Sequence, residues 1–334
     1  MALENDLRRA EWYDSLAGSK VRCTLCPHFC VLGVGEIGLC RSRRNFGGVL
    51  YAVNYAQCAA LALDSIEKKP LYHYCPATKI ISLGPNSCNL SCRFCQNFTI
   101  SQEKAPTSSL SPDDLAEIIF SKSPDSLQVA FTYTEPLTWY EYILDFAIKY
   151  PEIHIVLVTN GFINQEPLLK LLPFIKAMNI DLKAMHDDFY KDQCGASLEP
   201  VLATIAEAYR KGVHVEITNL LIPVLNNDAE EIRKLAKYIA GIDVHIPLHI
   251  SAYHPDYMAE QPATTHADVI IACEIAQEQL KHVYAGNIAD DLHSATYCPE
   301  CGEKLISRSW YAVSGDLSGI CPNCNERLYG VFSC

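Results

Sequence analysis

Cys88, Cys92 and Cys95 sit close together in the stretch Gly84-Pro85-Asn86-Ser87-Cys88-Asn89-Leu90-Ser91-Cys92-Arg93-Phe94-Cys95-Gln96-Asn97. An apolar, strand-like run over 79–83 leads into them. Three thiolates bind three irons of a four-iron cubane and leave the fourth iron without a protein ligand. An open iron can hold and reduce a cofactor, whereas a fully ligated cluster only passes electrons. The competing reading is a zinc knuckle that borrows a fourth ligand elsewhere. Knuckles bring cysteines in pairs two apart, so an unpaired triplet on a short loop favours the cluster.

Two further cysteine sets flank the triplet. Cys298-Pro-Glu-Cys301 and Cys321-Pro-Asn-Cys324 have nineteen residues between them, the spacing of a zinc ribbon. Four thiolates close a tetrahedral site, which reads as structural. Rubredoxin-like iron would use the same geometry, and zinc is preferred. Leu305, Ile306, Trp310, Tyr311 and Val313 are expected to fill the small core of this ribbon. The first set, Cys23, Cys26, Cys30 and Cys40, is less stereotyped; His28 could replace one cysteine. Zinc is the first choice there and an iron–sulfur cluster the second. The remaining five cysteines (Cys58, Cys75, Cys194, Cys273 and Cys334) are expected to pack as small hydrophobes.

The elements that must position these groups alternate. Strands are expected over 79–83, 127–133, 153–158, 176–182, 213–221, 246–250 and 282–285. Helices are expected between them. One follows the Ser111-Pro112-Asp113-Asp114 cap, another covers 137–149, a third is capped by Ser197 and stopped at Gly212, and a fourth runs over 228–241. This alternation predicts parallel strands with right-handed crossovers, in a partial or complete βα barrel. No Gly-x-Gly-x-x-Gly follows a strand, so an open dinucleotide-binding sheet is not expected. The expected organisation is a cysteine-rich extension over 1–74, a barrel over 75–290 and a ribbon-like module over 291–334. In such a barrel chemistry gathers at the carboxyl ends of the strands. Those ends carry the triplet, Thr134-Glu135-Pro136, Thr159-Asn160-Gly161, Asp181-Leu182-Lys183, Thr218-Asn219, Ser251-Ala252-Tyr253-His254 and Gly286-Asn287.

With these residues in view, the chain resembles the radical S-adenosylmethionine (SAM) superfamily. Within its glycyl-radical-enzyme-activase-like branch it resembles the AmmeMemoRadiSam system radical SAM protein. The resemblance rests on Cys23-Thr24-Leu25-Cys26-Pro27-His28-Phe29-Cys30, Ile66-Glu67-Lys68-Lys69-Pro70-Leu71, the triplet loop through Asn97, Tyr133-Thr134-Glu135-Pro136, Thr159-Asn160-Gly161, Asn179-Ile180-Asp181-Leu182-Lys183 and the C-terminal pairs. It spans nearly the whole chain.

The resemblance implies that Cys88, Cys92 and Cys95 hold a [4Fe-4S] cluster and that SAM chelates its fourth iron through amine and carboxylate. Phe94 would pack near adenine, and Glu135 would face the methionine amine. Asp181 and Lys183 would face the ribose and carboxylate, with Asn160 beside them and His254 along the adenine edge. The superfamily often has Gly-Gly-Glu-Pro where this chain has Tyr133-Thr134-Glu135-Pro136, so both glycines are missing. The implied reaction is one-electron cleavage of SAM to methionine and a 5′-deoxyadenosyl radical, which takes hydrogen from a substrate. A flavodoxin- or ferredoxin-type reductant is implied, with Memo-like and AMMECR-like proteins as partners. Each site residue also has a plain reading: Glu135 as a helix N-terminal acid, Asp181 and Lys183 as a surface pair, His254 as a loop cap.

Composition bounds the alternatives. The chain has 334 residues, 16 cysteines and a net charge of −12. That acidity argues against tight binding of nucleic acid, which lowers an RNA-modifying reading. No apolar run is long enough to span a bilayer, and residues 1–14 lack the apolar core of a secretory signal. The expected location is cytoplasmic, where cysteines serve metals rather than disulfides. A glycyl-radical activase and a non-catalytic iron–sulfur or zinc protein remain as the other readings.

Overall fold

Seven of the apolar runs become strands in the order in which they occur. They are β1 (Lys79–Pro85), β2 (Gln128–Phe131), β3 (His154–Thr159), β4 (Ile175–Asp181), β5 (His214–Leu221), β6 (Leu248–Ala252) and β7 (Val283–Gly286). Each pairs in parallel with the next. The computed structural model describes residues 7–333. Strands covered on both faces can be apolar on both faces, and β2 is buried at all four positions. The sheet does not close, because β7 lies at one end with a neighbour on one side only. It is therefore the partial barrel of the two expected. At the other end Gln57–Ser65, from the N-terminal block, pairs antiparallel with β1, and Ser108–Ser109 pairs with it in turn.

Helices complete the crossovers: α1 (Pro112–Lys122), α2 (Tyr140–Lys149), α3 (Gln165–Leu171), α4 (Glu199–Arg210), α5 (Ala229–Ala240) and α6 (His266–Gln277). Ser111 caps α1 in a reciprocal box with Asp114. Asp228 caps α5 by accepting from the Glu230 and Glu231 amides. Ser197 does not cap α4. The residue before that helix is Leu198, already helical and without a side-chain cap, and Pro200 at the second helical position has no amide to satisfy.

The sheet's other face is filled by residues 66–78. Ile66, Leu71, Tyr74 and Cys75 pack there against Ile80, Ala130, Val156 and Ala177. A buried polar network ties this plug down. Glu216 accepts from the Tyr72 and His73 amides (3.0 and 2.7 Å), and hydrogen-bonds His214 (3.0 Å) and His249 (2.6 Å). Burial would raise the Glu216 carboxyl, but the two imidazoles hold it well below its usual range.

The C-terminal block forms a three-stranded antiparallel sheet, Thr296–Tyr297, Lys304–Ser309 and Ala312–Gly315. Leu305, Ile306, Cys298, Cys321 and Leu328 form its core, with Val313 against them. Trp310 and Tyr311 are not in it. They sit at the hairpin tip, where Trp310 has φ of 54°, and are 65% and 52% exposed. The tail then docks on the barrel, with Val331 N donating to His73 O at 2.8 Å and Tyr329 stacked on His214. Among the scattered cysteines, Cys58 and Cys273 are buried thiols. Cys75 is instead disulfide-bonded, against the expectation of packing alone; the docked tail runs beside it, with Cys75 N donating to Val331 O. Cys334 lies outside the described residues.

Candidate functional site

Gly84, at the carboxyl end of β1, is required by close backbone approach: a Cβ there would lie 2.2 Å from the Thr132 carbonyl oxygen. The chain then turns into the triplet loop, which is pinned from several sides. Ser87 Oγ bonds Thr138 Oγ1 (2.6 Å), and Asn86 Nδ2 donates to Ile100 O (2.6 Å). Ser91 N and Arg93 N donate to the Cys194 and Gln193 carbonyls, both at 2.9 Å. These carbonyls belong to a π-helical turn, Tyr190–Cys194, a rare conformation that frequently marks functional positions.

The three sulfurs have different surroundings. Cys88 accepts from Leu90 N (3.4 Å) and from Asn160 Nδ2 at 3.9 Å, and burial with the nearby Glu135 charge pushes its thiol well up. Cys95 faces Ser101 Oγ at 3.1 Å. The Cys194 thiol lies beside Cys92; with the Lys183 ammonium it outweighs burial and lowers the Cys92 thiol. Cys194 therefore belongs to the site, where the sequence suggested plain packing. No sequence signal marks it, since its nearness to Cys92 depends on the turn between Lys183 and α4.

Glu135, Asn160 and the triplet form one hydrogen-bonded chain. The Glu135 carboxylate is buried and accepts from Leu137 N (2.9 Å), Thr159 Oγ1 (2.7 Å) and Asn160 N (2.8 Å). Burial raises its pKa to about 7 despite these three donors. Asn160 Nδ2 donates to Asn89 Oδ1 at 2.9 Å, next to Cys88. Glu135 also caps the short 3-10 turn Pro136–Trp139 through Leu137 N, as the plain reading of this residue has it.

Asp181 ends β4, and Lys183 follows it. Their side chains pair at 2.8 Å, with the Lys183 side chain only 12% exposed. Burial alone would lower Lys183, but Asp181 and Cys92 outweigh it and hold the ammonium well above its ordinary range. Lys183 Nζ lies 5.7 Å from the Phe94 ring centre, and Phe94 is buried against Phe189. His254 is exposed and bonds back to Pro255 O at 3.0 Å; among the described residues it makes no hydrogen bond to the Glu135, Asn160 or Asp181 side chains. Its loop still reaches the triplet loop, through Met258 N to Arg93 O (2.9 Å) and a Tyr257–Phe98 stack at 4.9 Å.

Among the described residues, one set has three or more metal-ligating atoms all within 4.8 Å of one another: Cys298, Cys301, Cys321 and Cys324. There Cys298 and Cys324 sulfurs lie 3.5 Å apart and Cys301 and Cys321 sulfurs 3.6 Å apart. A single ion with metal–sulfur bonds of ~2.3 Å needs sulfurs roughly 3.8 Å apart, so this set fits one tetrahedral ion. The triplet is more open than that. One cysteine per iron spreads the thiolates, and three thiolates beside a buried carboxylate, an ammonium and an amide suit an open cluster holding a charged amino-acid-like cofactor.

A profile of the radical SAM superfamily matches residues 84–239. The chain is 41% identical to the uncharacterized protein MJ0808 of Methanocaldococcus jannaschii, over 96% of this chain and 99% of that one. It is 25% identical to a cysteine-type anaerobic sulfatase-maturating enzyme of Clostridium perfringens, over 54% of this chain and 53% of the enzyme. Among solved structures it is similar in fold to a radical SAM methyltransferase from Sphaerobacter thermophilus. That match has a TM-score of 0.52 at 14% identity and covers 69% of this chain and 71% of that one. The cysteine loop, the parallel sheet that presents it and these likenesses agree: the chain belongs to the radical SAM superfamily.

Proposed function

We propose that the protein is a radical SAM enzyme of the AmmeMemoRadiSam type, acting on a substrate the site does not name. The observation that carries this reading is the continuous path Glu135–Asn160–Asn89–Cys88, with Asp181 and Lys183 at Cys92 on the neighbouring strand end. When bound, a four-iron cluster with SAM on its open iron supplies one-electron cleavage of the SAM carbon–sulfur bond and hydrogen abstraction from a substrate. Cys88, Cys92 and Cys95 would hold that cluster. Glu135 would accept from the SAM amine, and its burial keeps water from competing for that contact. Lys183 would attract the SAM carboxylate, while Asp181 both holds Lys183 and offers acceptors to the ribose. Phe94 supplies an apolar wall beside Lys183. Cys298, Cys301, Cys321 and Cys324 would hold a structural zinc that keeps the tail docked.

Memo-like and AMMECR-like partners, a flavodoxin- or ferredoxin-type reductant and a cytoplasmic setting belong to the same proposal. No helix among the described residues is long and apolar enough to cross a membrane. The reading is tested by adding SAM to the anaerobic, reduced protein while following the cluster by electron paramagnetic resonance. SAM is expected to shift the signal in the wild type. Replacing all three triplet cysteines by Ala should remove the responsive signal. A signal indifferent to saturating SAM would contradict the open-iron assignment.

A further inference from the structure

The N-terminal cysteines are arranged unlike the C-terminal ones. Cys23 ends the strand Val21–Cys23, and its amide bonds Cys30 O at 2.9 Å, closing a tight loop onto the strand Val31–Leu32. Cys40 arrives from the next turn. The four cysteines line one cavity together with Arg43 and Asn89. Yet no three of their sulfurs come within 4.8 Å of one another, although the C-terminal set of this same chain does so with all four. One ion draws four thiolates onto an edge of roughly 3.8 Å. A cubane takes one cysteine on each of four separate irons, so its thiolates ring a larger void.

Arg43 is the second, independent observation. Its side chain is 1% exposed, deep under the cysteine loop. One terminal nitrogen pairs with Glu141 at 2.7 Å, and the other donates to the Ser42 and Thr138 carbonyls. Its Nε–H has no hydrogen-bond partner among the described residues. A buried donor left unmade is expensive, and each one in a folded protein calls for an explanation. Sulfide or thiolate sulfur in the cavity would accept it. His28 is not needed as a ligand: its Nε2 bonds Asn89 O at 2.7 Å, and its ring packs edge-on against Phe162.

We propose that Cys23, Cys26, Cys30 and Cys40 hold a second four-iron cluster rather than a zinc ion. All four irons are then protein-ligated, so this cluster binds no SAM and only carries electrons. Its place suits that role. Asn89 lines the cavity and directly follows Cys88 in the chain, so one residue separates the quartet's cavity from the triplet. Each transfer is a single electron from an external one-electron donor of the flavin or iron–sulfur class, with no bond made or broken.

The test is a metal count on the full-length chain, reconstituted without oxygen in ferrous iron, sulfide and zinc. The wild type is expected to bind about eight irons and one zinc per chain, with two cubane components in Mössbauer spectra. About four irons and two zincs would overturn the proposal. The Cys88→Ala, Cys92→Ala, Cys95→Ala variant should keep about half the iron and all the zinc; iron-free protein with its zinc intact would also overturn it. Should that variant not fold, the wild-type count and spectra decide alone. The Cys26→Ala, Cys40→Ala variant separates this claim from the triplet reading, because it should lose the other half of the iron and keep the SAM-responsive signal.

Discussion

Glu135→Gln removes one charge from a buried site with little change in shape, and the structure fixes both its size and its sign. The carboxyl is raised from 4.5 to about 7, chiefly by burial. At ~1.4 kcal/mol per tenfold change, its ionisation is disfavoured by about 3 kcal/mol. Because the folded state holds the proton more tightly, this stabilisation is complete below pH 4.5 and is lost as pH rises through about 7. The glutamine variant cannot titrate. It also turns an amide toward Asn160 N or Leu137 N, leaving a buried donor unmade at a cost of about 1–3 kcal/mol. Urea unfolding of the SAM-free protein should show the variant less stable at pH 5. The difference should shift by about 2.5 kcal/mol in its favour by pH 8.

SAM affinity should move the other way. With the SAM amine restoring an ordinary carboxylate, wild-type affinity should rise more steeply with pH than the variant's between pH 5.5 and 8, measured by calorimetry on cluster-loaded protein. Titration of the SAM amine affects both proteins and cancels in the comparison. Parallel pH dependences for the two proteins would refute the placement of Glu135 against SAM.

Three further outcomes follow from the same contacts. Lys183→Ala should weaken SAM binding at least tenfold, as expected for a lost buried charge contact, while the iron count stays at the wild-type value. Glu216→Gln should destabilise by about 2–4 kcal/mol in urea, since it disturbs four hydrogen bonds at once. Its pH sign is opposite to that of Glu135: the carboxyl is held low, so its stabilisation is present above about 4.5 and fades on acidification, and the variant should lose that acid dependence. Cys301→Ser should release zinc and expose the tail to protease, leaving SAM cleavage slowed but present; complete loss of cleavage with a folded tail would place the ribbon in the active site.

Much of the architecture was legible because apolar runs and caps are local. The seven barrel strands appear within about two residues of their expected ends, and Ser111 and Asp228 cap as their side chains dictate. The strand Gln57–Ser65 was not expected, because its outward Leu61 and Leu63 blur the alternation that marks a strand. Trp310 and Tyr311 read as core from hydrophobicity, yet they occupy a hairpin tip. At the site, the triplet and the strand-end motifs carry their own signatures. Cys194, Arg43 and Asn89 do not, since each matters through a neighbour more than forty positions away. Contacts of that kind belong to the fold and leave no trace in spacing.

The central claim is reductive SAM cleavage at the triplet, and one assay tests it most directly. Anaerobic protein with dithionite and SAM, sampled over hours, should accumulate 5′-deoxyadenosine and methionine in equal amounts. Cys92→Ser, with its fold and zinc retained, should yield neither. Wild-type protein that carries its iron yet forms no 5′-deoxyadenosine, or a Cys92→Ser variant that forms it at the wild-type rate, would contradict the account.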